Sequence, residues 1–154
     1  SAIGTSGKCD EGLCMYIDDN DMLTSLKGLE GLRGTVPGGI KIQSNNALLT
    51  LNGLEGLTGV TGFDEGRGFS ITIENHASLQ SITALDNIQG TLPGALMVWA
   101  NDNLESLQGI LGITAAASQQ GYEDGGAVRF SSNPKLCVTA EERMALDHLC
   151  NASK

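Results

Sequence analysis

The sequence predicts a mainly β fold in which about five coils stack into a parallel β-helix, a solenoid, with one capping helix at the C-terminus. Three observations predict it. A motif recurs along the 154-residue chain, the spacing between its copies alternates, and 21 glycines and many aliphatic residues accompany only 4% aromatic residues. This composition suits short strands that are separated by tight turns.

Five copies of the motif can be aligned. They are MYIDDNDMLTSLKGLEGLRG (15–34), IKIQSNNALLTLNGLEGLTG (40–59), ITIENHASLQSITALDNIQG (71–90), LMVWANDNLESLQGILGIT (96–114) and the shorter VRFSSNPKLCV (128–138). The shared pattern is apolar-x-apolar-x-x-Asn-x-x-Leu-x-x-Leu-x-Gly-Leu-x-x-Leu, and Ala84 replaces the first glycine of the third copy. We therefore expect a single domain over 1–154, with an N-terminal cap (1–14), coils (15–138) and a capping helix (139–150).

The opening triplet of each copy has the period of a β-strand, so its two apolar residues are expected to point inward and its middle residue outward. Three further rows of aliphatic residues are expected to point inward: Leu23, Leu48, Leu79, Leu104 and Leu136; Leu26, Leu51, Ile82 and Leu107; Leu29, Leu54, Leu85 and Ile110. Stacked strands lie about 4.8 Å apart, so each row becomes a column. The pattern also predicts glycine corners at Gly28, Gly31, Gly53, Gly56, Gly109 and Gly112.

The connections between copies alternate in length. Short connections with nearly the same sequence, GTVPGG (34–39) and GTLPGA (90–95), follow the first and third copies. Longer segments, 61–68 and 115–126, follow the second and fourth copies. Insertions at one corner of a solenoid lie on one face, which is often a contact face. Both longer segments are therefore candidate binding loops.

Four cysteines lie in two close pairs near the ends of the chain. The pairs are Cys9 with Cys14 and Cys137 with Cys150. They predict two local disulfides in an oxidising compartment. A zinc site is the alternative, although neither pair has the two-residue spacing of a zinc knuckle, and no histidine accompanies the first pair.

The C-terminal sequence predicts a capped helix. Thr139 and Glu142 have the spacing of a capping box, in which each side chain bonds the backbone of the other residue. The helix is expected at roughly 140–149. Directly after it, Asn151-Ala152-Ser153 has the sequence of an N-glycosylation acceptor, which agrees with secretion.

One polar residue recurs at a corner of every copy. The series is Asn20, Asn45, His76, Asn101 and Asn133. An asparagine at this place can donate and accept hydrogen bonds between adjacent turns, which makes a structural ladder. His76, in the peptide ENHAS, resembles the start of a catalytic site. Its alignment indicates instead a substituted member of the ladder, so we expect a buried and neutral imidazole.

The outward-facing strand positions are the candidate ligand- or partner-binding surface. The predicted contact residues are Tyr16, Lys41, Thr72, Glu74, Met97, Trp99 and Arg129. Met97 and the single tryptophan, Trp99, share one strand, and exposed aromatic and methionine side chains beside charges indicate a contact surface. The alternative is that a loop, such as 115–126, folds over Trp99.

The phrases NNALLTLNGLEGL, NDNLESLQGI and SNPKLC resemble the receptor L-domain family over about residues 13–138. The resemblance implies a right-handed, leucine-rich-repeat-like β-helix, which forms the ligand-binding lobes of the insulin and epidermal growth factor receptors. It also implies that the sheet face binds ligands. His76 departs from the asparagine column, and no cysteine-rich module or kinase accompanies the repeat.

Charge and motifs narrow the function. A net charge of −9 disfavours nucleic acid, and no apolar run approaches the roughly 20 residues of a membrane helix. The sequence contains no nucleophile, zinc-protease or redox motif. The residues Asp18, Asp19, Asn20 and Asp21 raise the alternative of calcium, but the glycine and distal glutamate of an EF-hand are missing.

We therefore expect a secreted or cell-surface binding, adhesion or receptor module without catalysis, cofactor or metal, whose partner is a protein or a glycan. The main alternative is a structural spacer in a larger surface protein. Two further alternatives remain. One is an ice-binding protein, suggested by the hydroxyl series Ser25, Thr50, Ser81 and Ser106. The other is a polysaccharide-acting β-helix enzyme.

Overall fold

The computed structural model describes residues 9–117 and 127–151, with side chains up to residue 147 in the final helix. The described residues form strands β1 to β9, one 3₁₀ helix and one α-helix. Their bounds are β1 Leu13–Asp18, β2 Gly34–Val36, β3 Gly39–Gln43, β4 Leu57–Val60, β5 Phe69–His76, the 3₁₀ helix Thr83–Leu85, β6 Gly90–Leu92, β7 Ala95–Asn101, β8 Ile113–Ala116, β9 Val128–Ser131 and α1 Ala140–Asn151. The predictions of a mainly β protein and of a C-terminal helix are confirmed.

Five parallel strands form the main sheet, in the order β1-β3-β5-β7-β9. Its register follows the sequence repeat, because equivalent residues of successive copies are cross-strand partners. One such line of partners is Met15, Ile40, Ile71, Leu96 and Val128. The opening triplets of the five copies therefore lie side by side.

Two smaller parallel sheets lie outside the predicted triplets. β2 pairs with β4, and β6 pairs with β8. Each pairs the short connection after one copy with the end of the next copy. Val36 and Leu92, in the TVP and TLP peptides, are buried in these strands.

The predicted aliphatic rows form the core. Leu48, Leu54, Leu79 and Leu107 are fully buried, as are their neighbours in the second to fourth copies. In the first copy, Leu26 is buried, but Ile17, Leu23 and Leu29 are only partly buried, because β1 is an edge strand of the main sheet. The core is therefore densest in the three middle copies.

Each corner after the main sheet contains one residue with a positive φ. The residues are Asp19 (55°), Ser44 (52°), Asn75 (61°), Ala100 (53°) and Ser132 (57°), and each directly precedes a member of the predicted asparagine ladder. The left-handed conformation turns the chain at that point. It is unfavourable for a residue with a Cβ unless a short polar side chain offsets the cost, so Ala100 is the most strained of the five.

The motif glycines allow neighbouring copies to approach closely. Gly53 and Gly109 have φ values of 117° and 130°, and a Cβ at either position would collide with the carbonyl oxygen of Leu26 or Ile82 respectively. The third copy has Ala84 instead of this glycine, and there the chain forms the 3₁₀ helix, with Ala84 buried.

Of the two expected disulfides, the N-terminal one is present. Cys9 and Cys14 form a disulfide with a Cα–Cα distance of 4.7 Å. Within the part of the chain that the structure describes, Cys137 is exposed and forms no disulfide. Because the side chain of Cys150 lies outside the described residues, the second disulfide stays a prediction. No helix among the described residues is long and apolar enough to cross a membrane.

The capping box is present and also joins α1 to the fourth copy. The backbone N–H of Glu142 donates to Thr139 Oγ1 at 3.2 Å, and the backbone N–H of Thr139 donates to Glu142 Oε2 at 2.7 Å. Glu142 Oε1 accepts from the Ser106 hydroxyl at 2.5 Å and from the Leu107 N–H at 2.6 Å. Burial opposes ionisation of this carboxyl, yet these hydrogen bonds outweigh it and lower the pKa of Glu142.

Candidate functional site

The outward side chains of the main sheet, here called the outer face, form two columns in register. The first column is Tyr16, Lys41, Thr72, Met97 and Arg129, and the second is Asp18, Gln43, Glu74, Trp99 and Ser131. The seven predicted contact residues therefore share one face of one sheet. They do not form a single exposed surface, however.

Three of the seven are buried, so the expectation that they are exposed is wrong. Thr72, Met97 and Glu74 are only 2%, 5% and 4% exposed, whereas Tyr16 and Trp99 are 54% and 40% exposed. The cause is the segment 61–68, from which Arg67 reaches Glu74 and Met97. This segment covers the middle of the outer face and divides it into two parts.

Asp64 fixes the shape of this covering segment. Its carboxylate Oδ1 accepts hydrogen bonds from the backbone N–H groups of Gly66 at 2.8 Å and Arg67 at 3.2 Å. Its own N–H donates to the carbonyl of Phe69 at 3.0 Å. An aspartate that bonds the backbone two residues ahead makes a local turn, which places Arg67 next to the sheet.

Arg67 holds the buried carboxylate of Glu74. Its Nη1 donates to Glu74 Oε1 at 2.8 Å, its Nη2 lies 3.5 Å from Oε2, and the same Nη2 lies 3.8 Å from the sulfur of Met97. The guanidinium also lies 5.5 Å from the ring centroid of Phe69, within the range of a cation–π contact. These contacts hold the Arg67 guanidinium in one place.

Beneath Arg67 lies a small apolar cluster of Phe69, Ala95 and Met97, separate from the main core. The alternation of inward and outward residues along a strand predicts the outward direction of Met97. It does not reveal that Phe69, at the start of β5, packs beside Met97. The sequence pattern also does not indicate the ion pair between Arg67 and Glu74, which lie seven residues apart in the chain.

The N-terminal part of the outer face is polar and exposed. The hydroxyl of Tyr16 donates to Asp18 Oδ2 at 2.5 Å and accepts from Gln43 Nε2 at 3.2 Å. This hydrogen bond from Tyr16 lowers the pKa of Asp18, while it raises the pKa of Tyr16. The Nζ atom of Lys41 lies 5.4 Å from the ring centroid of Tyr16 and 3.9 Å from Glu74 Oε1.

The C-terminal part contains a cleft of about 240 Å³, lined by Arg67, Met97, Trp99, Arg129 and Ser131. It is here called the Trp99 cleft. Two cationic side chains, a half-exposed indole and a hydroxyl converge in it. Three of the predicted contact residues, Met97, Trp99 and Arg129, therefore line one concave site, and Arg67 and Ser131 are additions that the sequence did not single out.

The second candidate loop, 115–126, is described only up to residue 117, after β8 ends at Ala116. Whether it covers Trp99 concerns residues 118–126, which lie outside the described residues. The segment that does cover part of the outer face is the other candidate loop, 61–68.

The five ladder residues form a hydrogen-bonded column, here called the polar column. Where two asparagines are adjacent, the N–H of one donates to the side-chain oxygen of the next. The distances are 3.1 Å from Asn20 to Asn45 and 3.0 Å from Asn101 to Asn133. The asparagine amides also donate to main-sheet carbonyls of the preceding copy: Asn45 to Ile17, Asn101 to Ile73, and Asn133 to Val98.

His76 reproduces two of these bonds. Its Nε2 lies 3.2 Å from the carbonyl oxygen of Ile42, the counterpart of Ile17, Ile73 and Val98. Its Nδ1 lies 3.2 Å from the backbone nitrogen of Asn45 and 3.3 Å from the carbonyl oxygen of that residue. A carbonyl only accepts and an N–H only donates. We therefore assign the proton to Nε2, with Nδ1 as the acceptor of the Asn45 N–H.

The position of His76 excludes access to a substrate. The side chain is fully buried. Burial lowers the pKa of His76, against the opposing effects of the Asn45 and Ile42 carbonyls and of the Glu74 charge. A buried neutral ring with both nitrogens engaged is a structural group rather than a general base.

The substitution leaves one defect in the polar column. Asn45 Oδ1 and Asn133 Oδ1 each accept a hydrogen bond from the amide of the preceding asparagine, at 3.1 and 3.2 Å. Asn101 follows His76, whose single N–H is used by Ile42. Among the described residues, the buried Oδ1 of Asn101 accepts no hydrogen bond.

The other polar series that the sequence suggested have local roles. The hydroxyls of Thr50, Ser81 and Ser106 accept from the N–H two residues ahead, at 3.4, 3.3 and 3.0 Å, so they close turns. Asp18 bonds Tyr16, whereas Asp21 bonds Asn46. No group of three or more metal-ligating side chains converges in the described part of the chain. Asn151 is the last residue of α1, and its side chain lies outside the described residues.

Neither a protein-family model, nor a curated protein, nor a solved structure matches the chain.

Proposed function

We propose that the chain is an extracellular, non-catalytic binding or adhesion module, built as a right-handed solenoid of the receptor L-domain kind. The five-copy repeat, the in-register parallel sheet and the polar column support the solenoid. Each is a property of stacked repeats, in which a copy is stabilised by its neighbours.

The Trp99 cleft is the single observation that carries the binding function. Exposed tryptophan and arginine side chains dominate the energetics of interfaces, and here they converge with Ser131 in a concave site on the outer face. The 61–68 segment acts through Arg67, which forms one wall of the cleft. We therefore assign ligand contact to Trp99, Arg129 and Arg67, rather than to the whole outer face.

The cysteines support an extracellular location. The Cys9–Cys14 disulfide is stable where the environment is oxidising. The predicted Cys137–Cys150 bond and glycosylation at Asn151 agree with the same location. Peptide mapping of protein from a eukaryotic secretion host, with and without reduction and deglycosylation, tests all three features.

The binding function is tested by a screen of wild-type chain against a glycan array and a panel of surface proteins from its source. Trp99→Ala removes the indole from the cleft, while Tyr16→Ala removes the exposed aromatic residue of the other part of the outer face. We expect binding that Trp99→Ala abolishes and Tyr16→Ala retains. The absence of any wild-type binding would favour a structural spacer, and equal loss in both variants would assign binding to the whole outer face.

A further inference from the structure

The first copy forms an open end of the repeat. Among the described residues, β1 pairs only with β3, so its other edge is the edge of the main sheet. Beside that edge lies a groove of about 510 Å³, here called the end groove, whose apolar lining is Ile17, Leu23, Leu26 and Leu29. The equivalent side chains of the second copy, which has a neighbouring copy on each side, are fully buried. The end groove is therefore a surface that an adjoining copy would cover.

The contacts that join successive copies define what would fit this end. The N–H of a corner residue donates to the carbonyl of the equivalent residue in the copy before it, from Leu49 to Thr24 at 3.2 Å and from Gln80 to Leu49 at 3.0 Å. In the polar column, the N–H of Asn20 donates to Asn45 Oδ1 at 3.1 Å. The Thr24 N–H and Asn20 Oδ1 have no earlier copy to bond among the described residues. The first copy therefore presents one half of each contact.

A second copy of the chain does not supply the other halves. The C-terminal end of the repeat is tied to α1 through Glu142, so two chains could meet at their open ends only head to head, with antiparallel β1 strands. The exposed acidic residues after β1, Asp19 and Asp21, would then lie near Asp10 and Glu11, the exposed acidic residues before β1 of the other chain. Like charges that face each other across paired strands are destabilising. A different chain is therefore the better occupant.

The alternating connections indicate which kind of strand fits. The first and third copies are both followed by a short connection, GTVPGG and GTLPGA, so they are equivalent in the repeat. The third copy packs on the second copy through the parallel pairing of β5 with β3. The corner of the second copy, residues 43–49, has no charged residue, which suits the acidic corner of the first copy. A strand like that of the second copy therefore matches the open end.

We propose that the open end of the first copy binds an extended strand of a partner protein, which adds parallel to β1. The partner strand has the pattern apolar-x-apolar-x-x-Asn-x-x-Leu, without acidic residues at its corner. Its backbone bonds the edge of β1, its apolar side chains fill the end groove, and its asparagine N–H donates to Asn20 Oδ1. Exposed sheet edges bind other chains in this way, and pockets for alternate side chains provide the specificity. This surface is separate from the Trp99 cleft, so the inference goes beyond the proposed function.

The probe is a synthetic peptide with the sequence of residues 40–59, which is the second copy itself. It is titrated into the full chain, and backbone hydrogen exchange is measured by mass spectrometry of peptic fragments. We expect saturable protection of residues 13–29 and no comparable protection of β9, at the other edge of the main sheet. Trp99→Ala should bind the peptide like wild type, because the Trp99 cleft does not include the first copy.

Substitutions in the peptide test specificity while the chain stays unchanged. Ile42→Asp in the peptide replaces an inward apolar residue, and we expect affinity to fall about 10- to 100-fold, as for the loss of a buried apolar side chain. Asn52→Ser in the peptide, at an exposed position of the second copy, is the matched control. In the chain, Leu23→Ser should weaken peptide binding, whereas Leu136→Ser, the equivalent change in the fifth copy, should not. Urea unfolding shows whether both variants retain the fold.

Absence of saturable protection at residues 13–29 would overturn the inference, as would equal binding of the Ile42→Asp peptide. Loss of peptide binding in Trp99→Ala would move the site to the Trp99 cleft and also overturn it. Sedimentation velocity of the chain without peptide tests the other occupant, and we expect a monomer. A dimer that Leu23→Ser dissociates would assign the open end to a second copy and contradict the proposal.

Discussion

Nδ1 of His76 lies 3.2 Å from the backbone nitrogen of Asn45, at the place where an asparagine oxygen accepts the equivalent N–H in other copies. The imidazole thus substitutes for an asparagine as acceptor at Nδ1 and as donor at Nε2. It lacks the second amide hydrogen, and the neighbouring Asn101 Oδ1 consequently has no donor among the described residues.

His76→Asn and His76→Leu should have different effects on stability at pH 7.5. In His76→Asn the amide can still accept from the Asn45 N–H and donate to the Ile42 carbonyl, and it can also donate to Asn101 Oδ1. The added hydrogen bond offsets the smaller volume of the side chain. The free energy of unfolding should therefore stay within about 1 kcal/mol of wild type. His76→Leu has a similar volume but leaves the Asn45 N–H and the Ile42 carbonyl unsatisfied. A loss of about 2–4 kcal/mol is expected, measured by urea unfolding.

The same histidine gives stability a defined pH dependence. Burial lowers its pKa in the folded state, whereas in the unfolded chain the pKa is about 6.5. Below pH 6.5 the unfolded state takes up a proton that the folded state does not. Wild type should then lose up to about 1.4 kcal/mol per pH unit, down to the folded pKa.

Comparison of wild type with His76→Asn between pH 7.5 and 5.0 isolates this effect, because His148 is present in both chains. The difference between their unfolding free energies should change in favour of His76→Asn as the pH falls. A difference that is independent of pH would contradict the buried neutral ring.

Ala100 should be replaceable with a gain in stability. Its φ of 53° costs about 1 kcal/mol for a residue with a Cβ, and asparagine tolerates this conformation better. We expect Ala100→Asn to raise the free energy of unfolding by about 0.5–1 kcal/mol. The control is Ala77→Gly, at an exposed position outside the positive-φ set, which should lower it by a similar amount.

Glu142 should matter far more than its neighbour Glu141. Glu142→Ala leaves Thr139, Ser106 and Leu107 without their acceptor, and a loss of about 2–4 kcal/mol is expected. The exposed Glu141→Ala control should lie within about 0.5 kcal/mol of wild type.

The contribution of Glu142 should also depend on pH. Its folded pKa is lowered, so the stabilisation is present above the unfolded value of about 4.3 and is lost as the pH falls toward the folded pKa. Equal effects of Glu141→Ala and Glu142→Ala on the urea midpoint would contradict the double role of Glu142 as cap and as tie to the fourth copy.

The rate of methionine oxidation should show whether Arg67 shields Met97 from solvent. Met22 and Met144 are 90% and 66% exposed, whereas Met97 is 5% exposed. In dilute peroxide, Met97 should therefore oxidise much more slowly than both. Arg67→Gln removes the contact with Glu74 and Met97, so it should speed oxidation of Met97 while the rates of Met22 and Met144 stay unchanged. Peptide mass mapping measures all three rates, and an unchanged Met97 rate would show that Arg67 is not its cover.

The repeat made much of the fold predictable. Alignment of the motif from Met15 to Val128 gives the register of the main sheet, because residues at the same place in a repeat become neighbours when copies stack. The capping box at Thr139 and Glu142 was readable because its two bonds are local in sequence. β2 and β6 were missed, since three-residue strands such as Gly34–Val36 have too few residues to show a period.

The candidate site was less predictable than the fold. Strand alternation places Met97 and Trp99 on the outer face, but exposure also depends on what covers that face. The Arg67–Glu74 pair arises because Asp64 turns the 61–68 segment back over the sheet, and this insertion has no counterpart in the repeat pattern. The sequence places Arg67 in a candidate binding loop. Only the three-dimensional structure shows that Arg67 forms part of the wall of the Trp99 cleft.

The central claim is that the buried His76 is a structural member of the polar column. Nitrogen-15 NMR of the His76 ring tests it most directly, with His76→Asn to assign the signals. We predict a neutral ring that is protonated at Nε2, with a pKa below 6.5 and slow exchange with solvent. A ring protonated at Nδ1, or one that titrates at or above pH 6.5 with free access to solvent, would contradict the account.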